Sequence, residues 1–146
     1  MEAANIAIRP LTLDDSTSAA SLVTQLGYPT TPQQIGSRLE RFISDSDHAL
    51  FVAAQQERVV GLVGGRIGYA LEYDEPYVRV IGLAVDQQFR HGGIGKMLMR
   101  HLEQWATSNG ASRVILTSGS NRTEAHKFYE HIGYERTGVR FVKPLN

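Results

Sequence analysis

The chain contains no cysteine, so a disulfide framework, a thiolate metal site and a cysteine nucleophile are all excluded. It also lacks any stretch approaching the ~20 apolar residues that a membrane span requires. Its first residues, Met1-Glu2-Ala3-Ala4-Asn5-Ile6, do not lead from a basic region into a long apolar run, as an export signal would. These absences predict a soluble, cytoplasmic protein with no membrane partner. An excess of one charge is missing too: 15 basic and 15 acidic residues cancel, which removes the electrostatic footprint of a protein devoted to bulk nucleic acid. At 146 residues there is room for one core and not for two ordinary domains, so a single domain over 1–146 is expected.

What is present reads as alternating strands and helices. Ile6 and Ile8, running to Leu11, predict a first strand, and the side-chain oxygens from Thr12 to Asp15 predict the start of a helix through Ala19, Leu22, Val23 and Leu26, ended by Gly27. Thr31 before Pro32, then Ile35, Leu39 and Ile43, predict a second helix. Two strands are expected at 48–54 and from 59 to about 71, the second containing Gly61, Gly64, Gly65 and Gly68 and therefore suited to a bulge or a close backbone approach. An acidic loop with Glu72, Asp74, Glu75 and Pro76 precedes a strongly β-forming run from Tyr77 to Val85. Ile94, Met97, Leu98, Leu102, Trp105 and Ala106 share one face of a helix that stops at Asn109-Gly110. A strand over 113–117, a helix capped by Asn121 with Glu124 three residues on and ended by Gly133, and a final strand over 139–142 complete the chain. Hairpins followed by strand, helix, strand, helix imply an α/β (mixed α+β) fold: a mostly antiparallel sheet with one parallel pair and helices on its faces.

The chemistry-bearing segment is Arg90-His91-Gly92-Gly93-Ile94-Gly95-Lys96. A strand that ends in a glycine-rich turn and opens a helix offers free N–H groups at the positive end of a helix dipole, and that combination holds a phosphate. Glycines let the phosphate approach the main chain, while Arg90 and Lys96 add charge-assisted contacts. A Walker-type loop would need Ser or Thr after the lysine, where this chain has Met97. A Rossmann fingerprint would need a third glycine after Gly95.

On Arg90, Gly93 and Gly95, the sequence resembles the GCN5-related N-acetyltransferase (GNAT) family, whose acetyl-CoA loop reads Gln or Arg, two residues, Gly, one residue, Gly or Ala. The resemblance continues through Ile81-Gly82-Leu83-Ala84-Val85 and through Asn121, Ala125, Phe128-Tyr129-Glu130 and Ile132-Gly133-Tyr134. His91-Gly92 departs from the commoner small residue followed by a basic one. The resemblance implies a GNAT-like fold with a splayed fourth and fifth strand, and acetyl-CoA as co-substrate. Its pyrophosphate would lie on 90–96 and its pantetheine along Leu83, Ala84 and Val85, with an N–H near Leu83 stabilising the oxyanion. Tyr129 would protonate the leaving thiolate, and Asn121 would bond the cofactor as well as cap its helix.

The resulting reading is direct transfer of an acetyl group to a primary amine of a small molecule or protein. A noncatalytic acyl-CoA-binding or sensing domain is the alternative. No acyl-enzyme is expected, because no serine sits in an evident base-activated arrangement. Glu72, Asp74 and Glu75 are candidates for a general base or for an entrance that suits a cationic small acceptor, though a charged loop is ordinarily just solvated. The histidines lack metal-ligand spacing, so no metal is assigned. The resemblance also admits a homodimer.

Overall fold

Strands form where β-branched and apolar residues alternate, and helices where apolar residues recur every three or four positions. The computed structural model describes residues 5–146, in two compact units, one reaching to Ile115 and the other Leu116–Asn146. In the first unit β1 (Ile6–Pro10) leads through a short 3-10 turn (Leu13–Asp15) into α1 (Ser16–Gln25). Asp15 carries that corner: its carboxylate accepts from both terminal nitrogens of Arg9 at 2.8 and 2.9 Å and from the Thr12 amide at 2.9 Å. The Arg9 guanidinium therefore holds the Asp15 carboxyl below the usual carboxylate range despite its burial. α2 (Pro32–Ile43) starts as expected: the Thr31 hydroxyl accepts from the Gln34 amide, and the Gln34 side chain accepts from the Thr31 amide.

β2 (His48–Gln55), β3 (Arg58–Gly68), β4 (Tyr77–Val85) and β5 (Arg113–Ile115) complete a five-stranded sheet in the order β1-β2-β3-β4-β5. All neighbours are antiparallel except β4 and β5, which run parallel. The mixed architecture matches the fold class expected from sequence. β3 stops at Gly68 and not near 71, because its partner β4 begins only at Tyr77, opposite Gly68. Two bulges interrupt the ladder. Ala53 faces Gly61 and Ala54 faces Val59, leaving Val60 surplus on β3; Gly64 faces Gly82 and Gly65 faces Val80, leaving Ile81 surplus on β4.

α1 and α2 cover one sheet face, where Leu22, Ile35 and Leu39 join Val52, Leu62 and Ala84 in a buried cluster. α3 (Ile94–Ser108) covers the other face and approaches β3 closely. A side chain at Gly61 would meet Leu98 at 3.0 Å, and one at Gly65 would meet Leu102 at 2.7 Å. These glycines are thus the close-approach positions that their density in the strand implied.

In the second unit α4 (Thr123–His131) is preceded by Arg122 at the N-cap position, with no side-chain cap. The expected Asn121 cap is corrected: the Arg122 amide donates to the Gly119 carbonyl at 3.0 Å, so Asn121 lies inside a turn one residue too early to reach the helix amides. The expected final strand over 139–142 is also corrected. Those residues have no regular structure and Phe141 is 91% exposed. β-forming side chains do not make a strand without a paired neighbour, and the sheet among the described residues ends at β5. β5 is itself shorter than the expected 113–117. Among the described residues, no helix is long and apolar enough to cross a membrane.

Candidate active site

The glycine-rich segment is held by a scaffold that begins at the last residue of β4. The Asp86 amide donates to the Val60 carbonyl at 2.8 Å, continuing the ladder past Val85. The chain then makes a 3-10 turn (Gln87–Phe89) whose first amides are capped by side chains. Asp86 Oδ1 accepts from the Gln88 amide at 2.9 Å, and Gln25 Oε1, at the end of α1, accepts from the Gln87 amide at 2.9 Å. Arg58 joins them from the start of β3, donating to Gln88 Oε1 at 3.0 Å, lying 3.7 Å from Asp86 Oδ2, and stacking 4.8 Å from the centre of the Phe89 ring. Phe89 is 2% exposed and anchors the turn in the core. Arg90 Nε donates back to the Val85 carbonyl at 3.1 Å, so the turn is closed across its base.

From this base the backbone enters the left-handed region twice, at His91 (φ 66°) and Gly93 (φ 86°). The first costs strain for a residue with a side chain; the second is free only for glycine. Gly93 is the N-cap of α3 and provides no side-chain acceptor. The first bond of the helix runs from the Met97 amide to the Gly93 carbonyl at 3.0 Å, so the amides of Ile94, Gly95 and Lys96 precede the helical ladder. A methyl group at Gly93 would meet nothing within 4 Å, so the space at the N-cap position is open. The Ile94 side chain is buried against Gly61, so only its amide is available, while Lys96 is exposed in the first turn.

β4 is open along one edge beside this loop. Its pairing with β5 covers only Tyr77, Val78 and Arg79, so, among the described residues, positions 80–85, including Leu83, Ala84 and Val85, have no strand on that side. Pairing ends just where Ile81 bulges, and a bulge bends and twists the strand that carries it. The Ala84 side chain belongs to the core under α1 and α2, leaving its backbone as the part that faces the gap. The Val85 carbonyl already accepts from Arg90, which narrows the main-chain bonding expected of Val85.

Tyr129 and Asn121 belong to the second unit. The Tyr129 ring sits 5.2 Å from that of Phe128 and 6.0 Å from that of Tyr134. Burial raises the phenol above its ordinary value, with the positive charge of Arg122 working in the opposite direction. His126 is engaged locally: Nε2 lies 2.8 Å from the Gly119 carbonyl. Glu72, Asp74 and Glu75 fall in the connection before β4, at the end opposite to the glycine-rich turn. The sequence reading missed Gln25, Arg58, Asp86 and Phe89. Only Asp86, an Asx cap two residues before the helical turn's second amide, left a local signal.

The model of the acetyltransferase (GNAT) family matches residues 14–134. N-acetyltransferase 8 of Homo sapiens is 35% identical over 105 residues, 68% of this chain and 44% of that protein. The uncharacterized N-acetyltransferase YhdJ of Bacillus subtilis is 28% identical over 127 residues, 86% of each chain. The chain thus spans about half the length of the human relative and most of the bacterial one. A solved structure of AAC(6')-Iy, in complex with a bisubstrate analog, CoA-S-monomethyl-acetylneamine, has the same fold with a TM-score of 0.83 at 22% identity, over 97% of this chain and 98% of that one. On the family match, together with the open β4 edge and the uncapped start of α3, the chain belongs to the GNAT acetyltransferase family.

Proposed function

We propose that this chain transfers an acetyl group from acetyl-CoA directly to a primary amine. The observation that carries the reading is the juxtaposition at the end of β4: a helix start whose N-cap, Gly93, supplies no side-chain acceptor, beside a strand edge unpaired with β5 from residue 80 onward. The fit to the cofactor is chemical. Amides at 94–96, the Lys96 ammonium and the dipole of α3 suit a pyrophosphate, and the bare position at Gly93 gives it room. The extended edge suits an amide-bearing arm such as pantetheine, which pairs with a strand as a peptide does.

In this reading the residues 80–85 orient the thioester, and an N–H near Leu83 supplies the donor that bonds more strongly to a developing oxyanion than to a carbonyl. Tyr129 donates the proton that the departing thiolate needs. Its raised pKa keeps the phenol protonated to higher pH than an ordinary tyrosine, so activity governed by this group persists above the usual phenol range and falls only in stronger alkali. Tyr129→Phe is expected to lower kcat by about 10²-fold, the low end of general acid catalysis, with little change in acetyl-CoA affinity. Release of free thiol from acetyl-CoA in the presence of amines, followed spectrophotometrically, tests the activity. Tight binding with no release across a broad amine panel would identify a noncatalytic binding domain instead.

A further inference from the structure

In the second unit one histidine is bonded through both ring nitrogens. His126 lies in α4, with Nε2 2.8 Å from the Gly119 carbonyl and Nδ1 3.5 Å from a terminal nitrogen of Arg136. A carbonyl can only accept and a guanidinium can only donate, so Nε2 carries the proton and Nδ1 the lone pair. The Gly119 carbonyl takes a second bond, from the Arg122 amide at 3.0 Å, and the Arg122 carbonyl accepts from the His126 amide at 3.1 Å. Arg122 is thus gripped at its amide and at its carbonyl by partners that meet at His126. The segment after α4 folds back onto the helix: Arg136 lies 3.8 Å from Glu130, and the Tyr134 amide donates to the Tyr129 carbonyl at 2.9 Å.

Helix-starting requirements alone do not account for this arrangement. α4 has no side-chain N-cap, so the turn before it is secured by the His126 ring and not by a capping oxygen. Arg122, at the N-cap position, puts a cation at the positive end of the helix dipole, where an acid would be favoured. Spacing supplies the reason. Arg122, His126 and Tyr129 stand at i, i+4 and i+7, along one stripe of a helix. The charge of Arg122 is felt by Tyr129: burial raises the phenol, and Arg122 pulls it back down. The acids and the lysine of α4 are paired, Glu124 with Lys127 at 3.8 Å and Glu130 with Arg136.

Resting on the reading of Tyr129 as the general acid, we infer that His126 is a positioning residue for the transfer: it fixes the turn that holds Arg122 at the head of the Tyr129 stripe, where Arg122 stabilises the phenolate left when Tyr129 gives up its proton. In that step the O–H bond of Tyr129 breaks as the S–H bond of free CoA forms, and the phenolate then regains a proton from solvent. An ordinary thiol titrates near ~8.5 and an ordinary phenol near ~10, so the transfer runs uphill. Burial of the phenol steepens the climb, and a nearby guanidinium offsets part of it.

A double-mutant cycle at neutral pH decides it, with thiol release as the readout. R122Q and H126A are each expected to lower kcat about 3-fold, the scale of one exposed charge, with KM for acetyl-CoA and for the amine near their original values. H126Q keeps an N–H donor close to the place of Nε2 and is expected to recover most of the loss. In R122Q/H126A kcat should fall no further than in R122Q, because both changes remove one charge from one place. The alkaline fall of kcat should also move to higher pH in R122Q and H126A, since a phenol that loses a neighbouring cation holds its proton longer. Ring-carbon NMR of tyrosine-labelled protein, with the Tyr129 signal identified by its absence in Y129F, should show the same movement without any acceptor present. Losses that add in the double variant, or a lowered kcat with the Tyr129 titration unmoved, overturn the inference. H126M, which keeps the bulk without the donor, replaces H126A if that variant does not fold. Y129F separates the two levels. A loss of about 10²-fold in Y129F with the Tyr129 titration unmoved in H126A sinks the positioning role only, whereas full kcat in Y129F sinks the general-acid reading beneath it too.

Discussion

The two ends of β4 are built on opposite principles. At its C-terminal end the chain is fixed at nearly every residue: the Asp86 amide continues the sheet, side chains of Asp86 and Gln25 cap the following turn, Phe89 is buried, and Arg90 closes back on Val85. At the N-terminal end the flanking connection is solvated and lightly held. Tyr69 and Tyr73 are exposed, and the Tyr73 ring stacks 3.9 Å from the Arg113 guanidinium. On the proposed reading the loop presents backbone amides to a diphosphate and has to be preorganised, because any ordering left until binding subtracts from affinity. A loop without that duty can remain loosely held.

Substitutions at the two ends test this contrast. The largest effect is expected from Gly93→Val. A side chain there meets open space within the protein but strains a left-handed residue by about 1–3 kcal/mol and intrudes on the place proposed for the diphosphate. Acetyl-CoA affinity measured by calorimetry should fall about 30-fold, equivalent to losing one strong charge-assisted bond; unchanged affinity would refute the loop assignment. Asp86→Ala comes next. It removes the cap on the Gln88 amide and the partner of Arg58, so denaturant unfolding should show a loss of about 1.5–3 kcal/mol along with several-fold weaker acetyl-CoA binding. Gln25→Ala, which uncaps a single neutral amide, should cost about 1 kcal/mol and alter affinity less than Asp86→Ala does. Smallest is Tyr73→Ala at the other end. Loss of an exposed ring under Arg113 should cost about 0.5–1 kcal/mol and leave acetyl-CoA affinity untouched. If Tyr73→Ala weakened binding as much as Asp86→Ala, the two ends would not differ as described.

Local signals announced much of this architecture. Thr31-Pro32, the β-forming run of β4 and the apolar face of α3 each specify their element from residues within one or two turns, and all three are found where the sequence places them. The glycine-rich turn that opens α3 was legible for the same reason: a turn, a glycine and a helix start are adjacent in the chain. What was not legible depends on partners far away in sequence. Gln25 caps an amide 62 positions later, and nothing near either residue points to the other. The strand expected over 139–142 had the right side chains, but a strand exists only in a pair. The Asn121 cap failed by a single residue, a difference set by the turn at Gly119 and beyond the reach of composition.

The missing side chains at Gly61 and Gly65 have a consequence for the remote end of α3. They set how deeply the helix rests on the sheet, since Ile94, Leu98 and Leu102 settle into the room they leave. A rigid rod seated at two points along its underside has its tip aimed by the depth of both. Thickening either seat, as Gly65→Ala would by placing a methyl 2.7 Å from Leu102, would lift the rod and tilt its leading amides away from Val85. Two residues in the middle of β3 thereby act as the shims that aim the start of α3.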